Sequence, residues 1–359
     1  MRVEKAEKKS RTIKISITAS IILSIATILI ILKFTIDQNT LNYLSQVHIR
    51  YEYFLIAILL NVFSWVLWGL RLQVLSNAID KKLHLGLWES TKIVIANLFL
   101  AGITPALAGG EPLRIYLLNK DGMSLGGATA AILGERLIDA ICVLICVPFA
   151  FFIFKDHLNN TTLSIGLFIG VFVFILFLLV FLYALKNPNK IKALLIFLND
   201  KISRLFKKKE QHEKTKIVNF IEREVDGFHT SMIFFIKEGK KPFFVVSILT
   251  VAYWGVGFMI PSMLLLGLGL PPFFIESYAA QMLLLVIIMM PTTPGSSGVA
   301  ELTTSGLYGV LIGSSLIGPF VLLFRLITYH MNLVAGAIFQ YRILKSITSF
   351  SLDAITKQK

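Results

Sequence analysis

The chain has 359 residues, 55% of them hydrophobic, with a mean hydropathy of +0.75 and a formal net charge of +14. This composition excludes an ordinary soluble domain and assigns the whole chain, 1–359, to a single integral membrane domain. The positive charge does not indicate nucleic acid, because Lys and Arg gather in a few loops rather than on a basic face interleaved with aromatics. They read as topology signals and as contacts for anionic lipid heads.

Residues 1–14 carry Arg2, Lys5, Lys8, Lys9, Arg11 and Lys14, which by the positive-inside rule holds the N-terminus in the cytoplasm. The apolar run from about Ile13 to Leu32 is long enough to span and lacks a small-residue cleavage site, so it is expected as a retained first helix. Tyr53 to Val74 returns inward, with Arg71, Lys81 and Lys82 marking the inner side. The apolar pieces from Trp88 to Ile103 and from Pro112 to Leu118 are too short for a hydrocarbon core of about 30 Å, which needs roughly twenty helical residues. Residues 88–118 are therefore expected to form a re-entrant helical hairpin that enters and leaves on the cytoplasmic side. Leu125 to Phe154 spans outward with Glu135, Arg136 and Asp139 near its start. Cys142 and Cys146 on that span read as small core residues. Lys155 to Thr162 is a short external link containing the glycosylation triplet Asn159-Asn160-Thr161. Leu163 to Leu185 returns.

Residues 186–241 hold fourteen Lys or Arg, including Lys207-Lys208-Lys209, against seven Asp or Glu. Two stretches within this loop keep helical periodicity, one from Ile191 to Leu205 and one from Ile217 to Phe235, and predict a helical hairpin on the inner interface with its lysines toward lipid heads. Pro242 to Leu270 spans outward. Ile275 to Met290 and Val299 to Ile312 make two more short arms, a second hairpin that must enter from outside. Ile317 to Leu344 returns inward, and Lys345, Lys357 and Lys359 fit a cytoplasmic C-terminus.

The two hairpins carry related breaks. Thr104, Pro105, Gly109 and Arg136-Leu137-Ile138 recur 189 positions later as Thr293, Pro294, Gly298 and Arg325-Leu326-Ile327, whereas Glu111 and Glu301 are 190 apart. Unit one (53–154) is helix, inner hairpin, helix, and unit two (242–344) is helix, outer hairpin, helix. The expected fold is thus an all-α polytopic membrane protein with an inverted repeat and two re-entrant helical hairpins. Such broken helices meeting near the midplane build the sites of alternating-access transporters.

An ionised side chain at the centre of a membrane helix costs about 2.5 to 3.5 kcal/mol on insertion scales, so it is expected to be paired or functional. The candidates are Glu111 and Glu301 after each break and Arg136 and Arg325 opening each following span. Arg114, Glu135 and Asp139 lie near a predicted interface, where they could snorkel to water. Each glutamate can pair with either Arg136 or Arg325, either as a lock between helices or as a site, since arginine offers bidentate recognition of phosphate as well as carboxylate. Thr104, Pro105, Gly109, Gly110, Thr293, Pro294, Gly295 and Gly298 shape the two tips. Free backbone N–H groups near Gly109, Gly110, Ser296 and Ser297 suit an anion. The sequence contains no nucleophile elbow, P-loop, His-Glu-x-x-His or paired Asp motif, and so names no catalytic residue, metal or cofactor.

Thr104-Pro105-x-x-x-Gly109-Gly110-Glu111-x-x-Arg114, Glu135-Arg136-Leu137-Ile138-Asp139 and Pro294-Gly295-x-x-Gly298-x-x-Glu301 resemble the flippase-like transmembrane family typified by the membrane domain of lysylphosphatidylglycerol synthase. The resemblance covers about residues 10–345. It implies a lipid-translocating role in the cell membrane, with Glu111, Arg114, Arg136, Asp139 and Glu301 as site residues and anionic or polyprenyl-phosphate lipids as partners. No soluble aminoacyl-transferase domain is read in residues 1–359, so the resemblance carries no expectation of lysyl transfer. Ala106 and Ala108 stand where glycines are often found in that family. Two rivals remain open at this level: a membrane-embedded transferase or hydrolase acting on a polyprenyl-phosphate lipid, and a small-solute transporter.

Overall fold

A computed structural model describes residues 48–104, 109–154, 187–205, 211–237, 240–288, 295–312 and 314–341, together with Thr293 and scattered positions between 165 and 186. The first apolar run, the triplet at Asn159, Lys207-Lys208-Lys209, the C-terminal lysines, Pro105, Ala106, Ala108 and Pro294 lie outside the described residues. All regular structure among the described residues is helical. In chain order the elements are α1 (Tyr51–Ile79), α2 (Leu87–Gly102), α3 (Gly110–Lys120), α4 (Leu125–Phe154), α5 (Pro188–Leu205), α6 (Gln211–Lys237), α7 (Lys240–Gly267), α8 (Phe274–Ile288), α9 (Val299–Ile312) and α10 (Ser314–Arg325). After Arg325 the last helix passes through a π-turn at Leu326–His330 and continues to Tyr341.

Four of these helices are long and apolar enough to cross a membrane: α1, α4, α7 and the α10 span from Ser315 to Tyr341. Their outward faces are exposed and apolar at helical spacing, with Leu55, Leu59 and Phe63 on α1 and Ile141, Ile145, Phe149 and Phe152 on α4. Contiguous exposed apolar surface on this scale is a membrane-facing surface rather than a water-facing one. At 16 residues α2 is only about 24 Å long, and α3, α8 and α9 are shorter still. None of these four reaches across alone.

The short helices pair around two breaks, and the described residues at each break bond locally. At the first, the Thr104 hydroxyl donates to the Leu100 carbonyl and accepts from the Gly109 N–H, both at 2.8 Å. At the second, Thr293 Oγ1 donates to the Ser297 carbonyl at 2.6 Å and Ser296 Oγ donates to the Ile288 carbonyl at 3.1 Å. Thr104 and Thr293, related by the sequence offset, thus both clasp their own turn. The second turn runs through left-handed backbone at Gly295 (φ 61°), Ser296 (φ 52°) and Gly298 (φ 85°). Ser296 tolerates this conformation because its side chain is tied down.

The two breaks touch. The Gly295 N–H donates to the Thr104 carbonyl at 3.1 Å, and the Tyr329 hydroxyl donates to the Gly102 carbonyl at 3.1 Å. The loops that lead into the two pairs lie at different ends of α1. The loops flanking α2 and α3 pack through Leu83, Leu85 and Met123 in one cluster with Leu72 and Leu75, near the end of α1. The loop before α8 follows Gly267, whose carbonyl accepts from Arg50 N–H at the start of α1. Since the Trp68 ring lies 5.7 Å from the Tyr253 ring further along, α1 and α7 run antiparallel.

The basic loop is partly docked. Gly126 N–H, in the first turn of α4, donates to Glu224 Oε2 at 2.8 Å, and Met232 is buried with its side chain against Gly134. Gly126 has no room for a Cβ, which would lie 2.8 Å from Phe228 N. Helix α6 therefore packs on α4, where the periodicity alone predicts a helix lying on the interface. Helix α5 is tied to it by Lys192 and Asp226 at 2.6 Å and keeps Leu194, Leu195 and Phe197 exposed.

Candidate functional site

The charged residues of unit one assemble on α4 because Glu135 and Asp139 are four residues apart and share a face, with Arg136 between them. Glu135 Oε2 accepts from Arg114 of α3 at 2.8 Å, and its other oxygen accepts from Trp68 Nε1 of α1 at 2.7 Å. One turn along, Asp139 Oδ1 accepts from Arg71 of α1 at 2.7 Å and from Trp254 Nε1 of α7 at 3.0 Å. Arg136 reaches back to Glu111, in the first turn of α3, at 2.7 Å, and approaches Asp139 at 3.7 Å. Glu111 at that position also meets the favourable N-terminal end of the α3 dipole.

Aromatic rings hold the guanidinium groups in place. Arg71 lies 5.1 Å from the Tyr253 ring and Arg114 lies 5.1 Å from the Trp68 ring. Nε and Nη1 of both arginines have no acceptor among the described residues. Such donors are uncommon in buried sites, and here the ring faces partly compensate them.

Unit two repeats the core of this arrangement without its elaboration. Glu301 Oε1 accepts from Arg325 Nε at 2.9 Å, and its other oxygen accepts from the Gly298 N–H at 2.7 Å, fastening the second break to α9. Arg325 stacks 4.0 Å from the Tyr329 ring, whose hydroxyl reaches Gly102 and Ser297. Of the two pairings that the sequence leaves open, the structure has Glu111 with Arg136 and Glu301 with Arg325, each within its own unit. The pairs differ in access. Arg136 and Glu111 are 32% and 21% exposed, whereas Arg325 and Glu301 are 6% and 0% exposed.

Two sequence expectations change here. Arg71, expected to mark the inner rim, is fully buried, because α1 continues five residues beyond Val74 and the arginine sits inside a helix opposite Asp139. Arg114 does not snorkel to water, nor do Glu135 and Asp139: all three are buried within this network. The bonding roles of Trp68, Tyr253 and Trp254 go unnoticed in the sequence, where an aromatic on an apolar helix has no marker until its partner is known. His330 is half-buried, with Nδ1 3.1 Å from the Arg325 carbonyl in the π-turn. Among the described residues no cluster of three His, Cys, Asp or Glu side chains is placed to hold a metal. Cys142 and Cys146 are free and half-buried.

The molecule is thus a polytopic helical membrane protein with charged residues gathered where broken helices meet. Residues 19–336 match the family described as the lysylphosphatidylglycerol synthase TM region, and the chain belongs to that family. It is 32% identical over 331 residues to a UPF0104 membrane protein of Archaeoglobus fulgidus, covering 91% of this chain and 97% of that protein. It is 23% identical over 314 residues to a UPF0104 membrane protein of Methanothermobacter thermautotrophicus, covering 83% and 85%. No solved structure matches.

Proposed function

We propose that this protein is a lipid flippase or scramblase that moves a charged or phosphate-bearing lipid between leaflets of the cell membrane, with both termini cytoplasmic. The observation that carries the reading is the Arg136–Glu111 pair, the accessible edge of an otherwise buried ionic network set among membrane-crossing helices. A guanidinium so placed can exchange its carboxylate for a lipid phosphate at little extra desolvation cost, whereas a fully buried pair cannot.

Units one and two act as an inverted repeat with two re-entrant hairpins. Supporting this are the antiparallel course of α1 and α7, the short paired helices departing from different ends, and the direct bond between Gly295 and Thr104. Shift of the two tips relative to each other would expose Arg136 to one leaflet and then the other, in the manner of broken-helix transporters. Family membership supports a lipid-related role. The lysine-rich segments support the orientation.

The test is reconstitution into liposomes with fluorescent lipids of several head groups, followed by dithionite quenching. Leaflet exchange should exceed the protein-free rate for at least one phosphate-bearing lipid, fall at least tenfold in Arg136→Ala, and return the lipid chemically unchanged. Exchange at the protein-free rate for every head group refutes the proposal, and covalent turnover of the lipid would establish an enzyme instead. A cysteine at the exposed Lys82, before α2, and one at the exposed Pro271, before α8, should label from opposite sides of the membrane. Labelling of both from one side contradicts the inverted arrangement.

A further inference from the structure

Helix α4 carries a second feature on the face that holds the charges. Ala150 is eleven residues beyond Asp139, which is about three helical turns, so the two point the same way roughly 16 Å apart. Ala150, Phe149 and Ile153 of α4 form one wall of a groove of about 380 Å³, and Ile275, Tyr278 and Met282 of α8 form much of the other. That volume lies in the range of small-molecule sites, about 300 to 1,000 Å³. Its floor is closed by Ala150 and Ala279, both buried, while Phe149 and Ile275 stand at its rim.

The groove is joined to the charged network by a run of rings. Trp254, which donates to Asp139, lies 5.3 Å from Phe258. Phe258 packs edge-on against Tyr278 at 6.0 Å, and Tyr278 lines the groove. The one polar atom of Tyr278 is consumed by its bond to the Gly255 carbonyl at 2.6 Å, so the ring presents only its apolar face. A charged contact at one end, an apolar trough at the other and a rigid aromatic rail between them match the two ends of one amphiphile.

We infer that the groove between α4 and α8 binds a hydrocarbon chain of the same lipid whose phosphate meets Arg136, and so selects the substrate by its tail as well as its head. This inference rests on the flippase reading. The continuity with the charged network along one helix face separates this occupant from the annular lipid that covers Leu55, Leu59 and Phe63 on α1.

The experiment uses the full chain in vesicles doped with a phospholipid carrying a diazirine near the end of one acyl chain, with leaflet exchange measured in the same preparation. After photolysis, peptides containing Phe149, Ile153, Tyr278 or Met282 should be labelled at least fivefold above the α1 peptide containing Leu55 and Phe63. That excess should collapse in Arg136→Ala. Met282→Trp and Ile275→Trp, which fill the groove from its edges, should cut exchange of long-chain lipids severalfold and spare a short-chain lipid with the same head group. Uniform labelling of α1 and the groove, with exchange intact, overturns the groove and leaves the flippase reading standing. If groove labelling depends on Arg136 but no lipid exchanges, the groove stands as a binding site and the flippase reading falls. Uniform labelling without exchange overturns both. Equal loss for long and short chains in the tryptophan variants also overturns tail selection.

Discussion

The buried pair of Arg114 and Glu135 offers the sharpest test of the network. Both side chains are fully buried, the carboxylate also accepts from Trp68, and two nitrogens of Arg114 already lack an acceptor. Replacing Glu135 with Gln keeps an acceptor for the indole but strands a guanidinium in the helix bundle. Replacing Arg114 with Met keeps the apolar stem and strands a carboxylate. Breaking a buried pair from either side costs about 3 to 5 kcal/mol, because the remaining charge stays desolvated without compensation. Loss of the Arg114 stack on Trp68 adds about 0.5 to 2 kcal/mol to the arginine variant. The double variant removes both charges and should recover to within about 2 kcal/mol of wild type, since neutral replacements of similar volume avoid the desolvation cost. The coupling between the two positions should therefore be several kcal/mol and favour the double variant over the sum of the singles. Unfolding of the purified protein in nanodiscs, followed by tryptophan fluorescence through a denaturant titration, measures all four corners of the cycle. Singles indistinguishable from wild type, or a double variant that loses the sum of the two, would refute the account of a closed ionic network.

Three further outcomes follow from other parts of the fold. Gly295→Ala places a Cβ at positive φ against the Gly102 carbonyl and weakens the bond between the two breaks, so it should abolish transport while leaving protein levels within about twofold; full activity would show that the tips need not meet. Gly126→Leu should lift α6 from α4 and make the loop between 186 and 241 several times more sensitive to protease, with Glu224→Gln giving a smaller effect in the same direction; unchanged cleavage would contradict the docking. Partial desolvation raises the Asp121 carboxyl above its ordinary range despite Lys120 and Lys92 nearby, although the residue is exposed, so ionisation at neutral pH carries a small stability cost there. A raised carboxyl favours the folded state at low pH and loses that advantage as pH rises through its folded value. Asp121→Asn should therefore raise the melting temperature at pH 7, and the gain should shrink as pH falls into the carboxylate range.

The breaks were legible because Pro and Gly inside apolar runs leave few structural choices, and because comparison of Thr104 with Thr293 and Glu111 with Glu301 exposes a repeat. Arg136 and Arg325 were legible for the same reason, since an arginine within a membrane helix needs a partner. Arg71 was not. It occupies a position where a short span would end at the inner surface, and only the longer course of α1 carries it inside opposite Asp139. The indole donors of Trp68 and Trp254 were invisible too, because tryptophan on a membrane helix is as often an interfacial anchor as a hydrogen-bond donor. The docking of α6 depends on the contact of Gly126 with Gly227 and Phe228, a long-range fit of small residues that periodicity does not encode.

The two units have kept the same clasp and the same Glu–Arg pair but divided the work. In unit two, Glu301 spends one oxygen on Arg325 and the other on the Gly298 N–H, so the carboxylate secures the break itself and has little freedom to release its arginine. In unit one, Arg136 meets Glu111 at a partly open edge, and the charges behind it, Arg71, Arg114, Glu135 and Asp139, balance one another. Three arginines against three carboxylates leave no net charge to hold a ligand permanently. An anion arriving at Arg136 is attracted only to the extent that Glu111 gives way, so binding stays reversible, as the proposed exchange of lipid between leaflets requires. Neutralising Glu111 as Gln should therefore strengthen lipid binding and slow exchange together, whereas loss of both would mean that Glu111 contacts the lipid directly.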